Sequence, residues 1–333
     1  MSYDALVARA AGLTTHLLGR DTLTRLAELP DLNALGRELG ALGIPLPAQQ
    51  PSATELELAV RRHAGLRMRE LSRWDPAGII VPVLVAEAER RALRTLVRGL
   101  VEGLAPATRL DGLVPTPSLA ERELGELSRQ ATLAGMVALL TTWRSPWAEA
   151  LASVRGSEPD LAHVELALAR VLARRYQLAA RRAGGAFRDY VRQAIDLENL
   201  AAVLLLAGRD AEAEPGSHFH DGGSWLVDAA FVIAARAESV STAAHRMADL
   251  CPDPDLAERI LTLAEDPVAL ERGIAAWRRA AWCRRARMEP LGAAPVLAYA
   301  LRLEEETRAL QRLIWAMALG APAELRLAAE EAR

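Results

Sequence analysis

The chain has 333 residues, of which 51% are apolar, 25% charged and only 4% aromatic, with a formal net charge of −3. That length suits one large domain or two to three smaller ones and is ample for a sizeable core. All 40 basic residues are arginine, dispersed among 43 acids along the sequence; the bias reads as codon usage, and the absence of a basic block argues against a nucleic-acid binder.

Ala, Leu, Arg and Glu, all good helix formers, dominate, while Val/Ile runs are scarce, so the expectation is all-α. Residues 1–10 lack a basic stretch followed by an apolar one and do not read as a signal peptide. The Leu-rich segment from Leu26 to Leu42 predicts short amphipathic helices. Breakers then cluster at Gly43, Pro45, Pro47 and Pro51, and Ser52 or Thr54 is placed to cap a helix carrying Leu56-Glu57-Leu58-Ala59-Val60. A second helix is expected from near Val83, with Glu89 four residues ahead of Leu93. The longest apolar runs, 78–86 and 201–208, fall far short of the roughly 20 residues a membrane helix needs.

A second set of elements follows the breakers at Gly112, Pro115 and Pro117. Leu124 to Leu140 again predicts short helices, and Gly156 to Pro159 breaks the chain. A helix carries Val164-Glu165-Leu166-Ala167-Leu168. The next, from near Tyr190, bears the stripe Val191, Ala194, Ile195, Leu200, Val203 and Leu204, with Asp196 four residues ahead of Leu200. Pro215 to Gly223 forms a loop. A third set follows: the break at Cys251-Pro252-Asp253-Pro254, Asp266 as a cap before Pro267, then Leu270-Glu271-Arg272-Gly273-Ile274. After Pro290 to Gly292, the stripe Val296, Ala300, Leu303, Thr307, Leu310, Ile314 and Met317 steps by four and three, the seam of a helix packed along another. Here Glu304 or Glu306 precedes Leu310, and Glu304 is placed as the acid.

The markers recur at one period. Glu57, Glu165 and Glu271 are spaced 108 and 106 residues apart; Glu89, Asp196 and Glu304 are spaced 107 and 108. Missing a repeat miscalls a fold, and this one predicts three pseudo-equivalent helical domains, 1–117, 118–223 and 224–333, about a pseudo-threefold axis. An acid recurring at one phase reads as structural, pairing with arginines such as Arg170, Arg174, Arg278 or Arg279 of a neighbouring helix.

Reactive constellations are sparse. His218-Phe219-His220-Asp221 alone has metal-ligand spacing, and it lacks a distant partner set to complete it. Gly222-Gly223 has neither the Lys-Ser/Thr nor the strand of a phosphate loop. No nucleophile elbow occurs. His16, His63, His163 and His245 are isolated, and Trp277, Trp282 and Trp315 fit core or interface anchors. Cys251 and Cys283 form no CxxC and suit a reducing compartment. The reading is no catalytic residue, no cofactor and no resident metal.

Ala269-Leu270-Glu271-Arg272-Gly273, Pro290-Leu291-Gly292, Val296-Leu297-Ala298-Tyr299 and Glu304-Glu305-Glu306-Thr307-Arg308 resemble the C-terminal pattern of the C subunits of V/A-type ATPases, the counterparts of the eukaryotic d subunits. Tyr190, Asp196 and Glu198-Asn199-Leu200 resemble a Y-x-x-x-x-x-D-x-x-N-L helix of that family, the Gly222-Gly223 turn matches in place, and Tyr3, Ala8-Arg9 and Leu17-Leu18 resemble its opening helix. The first copy departs, with Arg90-Arg91-Ala92-Leu93 where an Asn precedes the Leu. The resemblance implies a funnel-shaped, non-catalytic central-stalk rotor subunit. Its partners would be the D and F proteins of the shaft, the proteolipid ring and the stator membrane subunit. It would lie on the cytoplasmic face, meeting the membrane only through the complex and transmitting torque during ATP-driven ion transport or ATP synthesis. An α-helical scaffold for another soluble partner, or a metal-dependent enzyme using His218, His220 and Asp221, are the alternatives.

Overall fold

The computed structural model describes residues 3–46, 50–75, 77–154, 160–209 and 214–327. Pro47 and the breaker at 156–159 lie outside them. Among the described residues every regular element is helical, and no strand occurs. No helix among them is long and apolar enough to cross a membrane.

The helices divide between two compact units. One is drawn from Met1–Gly99, Leu104–Arg129 and Tyr299–Arg333, the other from Leu100–Gly103 and Gln130–Ala298. In chain order they are α1 (Asp4–Thr14), α2 (Arg20–Ala27), α3 (Leu32–Ala41), α4 (Ala53–Ser72), α5 (Ile80–Leu84), α6 (Ala86–Val101), α7 (Pro106–Leu110), α8 (Glu121–Ser128) and α9 (Leu133–Thr142). They continue with α10 (Ala148–Ala152), α11 (Leu161–Arg182), α12 (Gly185–Leu206), α13 (Asp228–Ala235), α14 (Val240–Leu250), α15 (Pro254–Leu263), α16 (Pro267–Met288), α17 (Ala294–Ala318) and α18 (Ala323–Arg326), with a 3-10 turn at Pro215–His218.

Helix lengths recur in the same order three times. Eight-residue helices start at 20, 121 and 228, and helices of 10, 10 and 11 residues start at 32, 133 and 240. Long helices of 20, 22 and 22 residues then start at 53, 161 and 267. Their starts are chemically marked. Asp31, Thr132 and Ser239, all in extended backbone, each accept at the side chain from the N–H three residues on. Ser52 makes a full capping box with Glu55, and Asp266 accepts from the N–H groups of Val268 and Ala269. Each cap satisfies donors the first turn cannot pair and contributes about 1 kcal/mol.

In the first unit, Leu310, Leu313, Ile314 and Met317 of α17 fill a core with Leu23, Leu26, Leu35, Leu39, Leu56 and Val60. Of the predicted seam of α17, Leu310, Ile314 and Met317 are buried here, against partners near the other end of the chain; Val296 and Leu303 are also buried, and Ala300 and Thr307 only partly. The second unit packs Leu200 and Val203 of α12 against Leu226, Phe231, Met247, Leu256, Ile260 and Trp277. Fully burying such a side chain contributes about 1.5–3 kcal/mol. The helix expected from near Val83 is two helices, α5 and α6, separated at Val85. The Asp75 carboxylate caps α5, accepting from the N–H groups of Ile80 and Val81, both at 2.9 Å.

Candidate functional site

The most organised polar chemistry in the molecule is a set of carboxylates on the helices that close each recurring set. Asp196 on α12 is fully buried. Its Oδ2 accepts from the Ser224 N–H at 2.7 Å and the Ser224 hydroxyl at 2.5 Å, and its Oδ1 from the Leu226 N–H at 3.3 Å. These donors lie just ahead of α13, where backbone N–H groups have no helical acceptor. The carboxylate therefore fixes the chain as it turns into the eight-residue helix.

One turn further along α12, buried Asn199 grips the same loop. Its Nδ2 donates to the His220 carbonyl at 2.8 Å and its Oδ1 accepts from the His220 N–H at 2.9 Å. From α11, Arg170 donates to the Ser217 carbonyl at 2.9 Å, and Gln177 donates to the Asp221 carbonyl. Close approach explains the two glycines. Gly222 has φ +102°, a left-handed conformation that a side chain would strain, and a Cβ on Gly223 would run into the Asp196 carboxylate.

Glu89 on α6, also fully buried, accepts from the hydroxyls of Ser118 and, at 3.4 Å, Thr116; the Thr116 oxygen in turn accepts from the Leu119 N–H at 3.0 Å. This segment leads into α8. On α17, Glu306 accepts from the Leu18 N–H, just ahead of α2. Three acids thus hold three chain segments, each preceding an eight-residue helix.

Glu304, placed by sequence as the third acid, is exposed and pairs with Arg308 at 2.8 Å. Helix phase separates the two: Glu89, Asp196 and Glu306 each lie four residues before a buried leucine, whereas Glu304 lies six before Leu310. The arginine partners expected from sequence are otherwise engaged. Asp196 accepts from the loop, Arg174 pairs with Glu149 at 2.7 Å, and Arg278 lies 4.3 Å from the Tyr190 ring centroid. Loop N–H groups, invisible in the side-chain sequence, take the carboxylate instead.

Burial pushes the Glu306 carboxyl above its ordinary value of 4.5, outweighing the Leu18 amide, Arg67 and Arg302, which act the other way. The proton is held more tightly in the fold than in the unfolded chain. Stability from this source is complete below 4.5 and is lost as pH rises through the folded value. Glu306→Gln keeps an oxygen for Leu18 and removes the ionisation. It should gain on the parent protein as pH climbs from 4 towards 8; denaturant titrations giving parallel pH curves for both would contradict this.

The other markers differ in setting. Glu57 accepts from Gln311 at 2.9 Å and from the Trp315 indole at 2.8 Å; Glu165 is half-buried on α11 and Glu271 exposed on α16. The Trp282 indole donates to Gln193 at 2.8 Å and the Trp277 indole to Asp253 at 3.1 Å. His220 is buried beside Tyr176, Ile195 and Glu198 along a small cavity. Burial, with Arg170 nearby, lowers the His218 pKa and favours the neutral ring. Among the described residues no three His, Cys, Asp or Glu side chains are grouped to hold a metal ion.

A family model described as ATP synthase (C/AC39) subunit matches residues 6–326. The C subunit of the A-type ATP synthase of Haloquadratum walsbyi is 22% identical over 299 residues, covering 87% of this chain and 84% of that protein.

Proposed function

Because the chain belongs to the ATP synthase (C/AC39) subunit family, we propose that it is the non-catalytic central-stalk rotor subunit, joining the D–F shaft to the membrane proteolipid ring and passing torque between them. The observation that carries this reading is the recurrence of the carboxylate tether. Glu89 holds the lead-in to α8, Asp196 that to α13, and Glu306 returns to the lead-in of α2. A third copy that reaches back to the first supports three pseudo-equivalent domains, 1–117, 118–223 and 224–333, closed about a threefold axis. A torque adaptor needs such stiffness and no chemistry of its own. The domains would present one face to the shaft and the other to the ring, on the cytoplasmic side.

The purified chain should bind a co-expressed D–F pair, retain it through size exclusion and hydrolyse no ATP. Failure to bind the shaft in an assembly otherwise able to form would sink the rotor reading.

A further inference from the structure

The arginines are dispersed in sequence, but the fold gathers a group of them in the second unit. The start of α12 meets the end of α16 there. Arg285 donates to Asp189 of α12 at 2.8 Å and to Glu289 at 3.0 Å, and the Trp282 indole donates to Gln193. Both of these carboxylates are engaged by one arginine. Around them stand Arg181, Arg182, Arg188, Arg192, Arg284 and Arg287, all exposed and, among the described residues, without a carboxylate partner.

Two features show that this charge does not serve the helices. Arginines at the ends of α11 and α16 complement the helix dipole, but Arg188 is the fourth residue of α12, at the end where the dipole disfavours cations, and Arg192, the eighth, lies beyond the dipole's reach. Beside them the chain exposes two large apolar side chains with nothing over them: Met288 at 82% and Leu291 at 81%. Exposed apolar side chains on the same segment as exposed arginines match an anionic bilayer surface, where phosphates take the arginines and the interface takes the apolar tip. A nucleic acid would use the charge and leave the apolar tip in water.

We propose that this end of the second unit docks directly on anionic phospholipid. The contact goes beyond the rotor reading, in which the membrane is met only through the rest of the complex, and the two can fail separately because the test needs no partner.

The full chain is sedimented with phosphatidylcholine vesicles, with and without phosphatidylglycerol, across a salt series. It should bind only the phosphatidylglycerol vesicles and release as salt rises. At roughly fivefold in affinity per arginine, the double variant Arg188→Gln/Arg192→Gln should bind at least tenfold more weakly. Met288→Ser/Leu291→Ser should weaken binding at every salt concentration. All four positions are exposed, so melting curves should match the parent, and either pair alone decides the matter if the other folds poorly. Equal binding to neutral vesicles, or no binding at all, overturns the proposal. So does salt-sensitive binding that ignores Met288 and Leu291, which would reduce the contact to unspecific charge attraction without a docked apolar tip.

Discussion

Asp196→Ala should lower the stability of the second unit by about 3 kcal/mol, the largest loss expected from any polar side chain in it. The substitution removes a fully buried carboxylate and leaves the N–H groups of Ser224 and Leu226 without an acceptor. Hydrogen bonds to a charged group contribute about 1.5–3 kcal/mol each, and an abandoned buried donor costs its full desolvation. Glu304→Ala, which breaks only the exposed pair with Arg308, should cost about 0.3 kcal/mol. Urea titration of the two variants compares them directly. Similar losses would mean that Asp196 is not a tether; a changed shaft affinity with unchanged stability would make it an interface residue instead.

Gly223→Ala should be almost as damaging although it only adds a methyl group. Its Cβ would occupy the space of the Asp196 carboxylate, so the loop must shift or the acid must turn away. Either response breaks the bonds to Ser224 and Leu226, and a loss of about 3 kcal/mol follows. The two substitutions should then be strongly non-additive. In an Asp196→Ala background the obstructing carboxylate is gone, and Gly223→Ala should add less than about 1 kcal/mol, a coupling of about 2 kcal/mol. Additive losses in the double-mutant cycle would show that the glycine is needed for its backbone alone.

Much of this is legible in the sequence. The Leu stripes of α12 and α17, the caps at Ser52 and Asp266 and the acids at a common period are local signals, carried by residues a few positions apart. The choice of Glu306 over Glu304 is also within reach, because a spacing of four puts the acid and its leucine on one face and a spacing of six does not. What Asp196 holds is not, since its partners are largely backbone N–H groups some 28 residues away, and every residue but proline has one. The packing of α17 with α2, α3 and α4 is equally hidden: a seam shows that a helix has a partner, without saying which. The arginine cluster is invisible for the same reason, as its members come from three helices.

The first unit takes its core from both ends of the chain, with Leu310, Leu313 and Ile314 seated among leucines from positions 23 to 56. During synthesis, the leading helices emerge from the ribosome some 250 residues before the segment that covers them. The contiguous stretch 130–298 can complete its own core in the meantime. The nascent N-terminal helices would keep apolar surface uncovered throughout, a window in which a chaperone has something to hold. Trimming the polypeptide after about residue 298 should unravel its beginning and spare its middle.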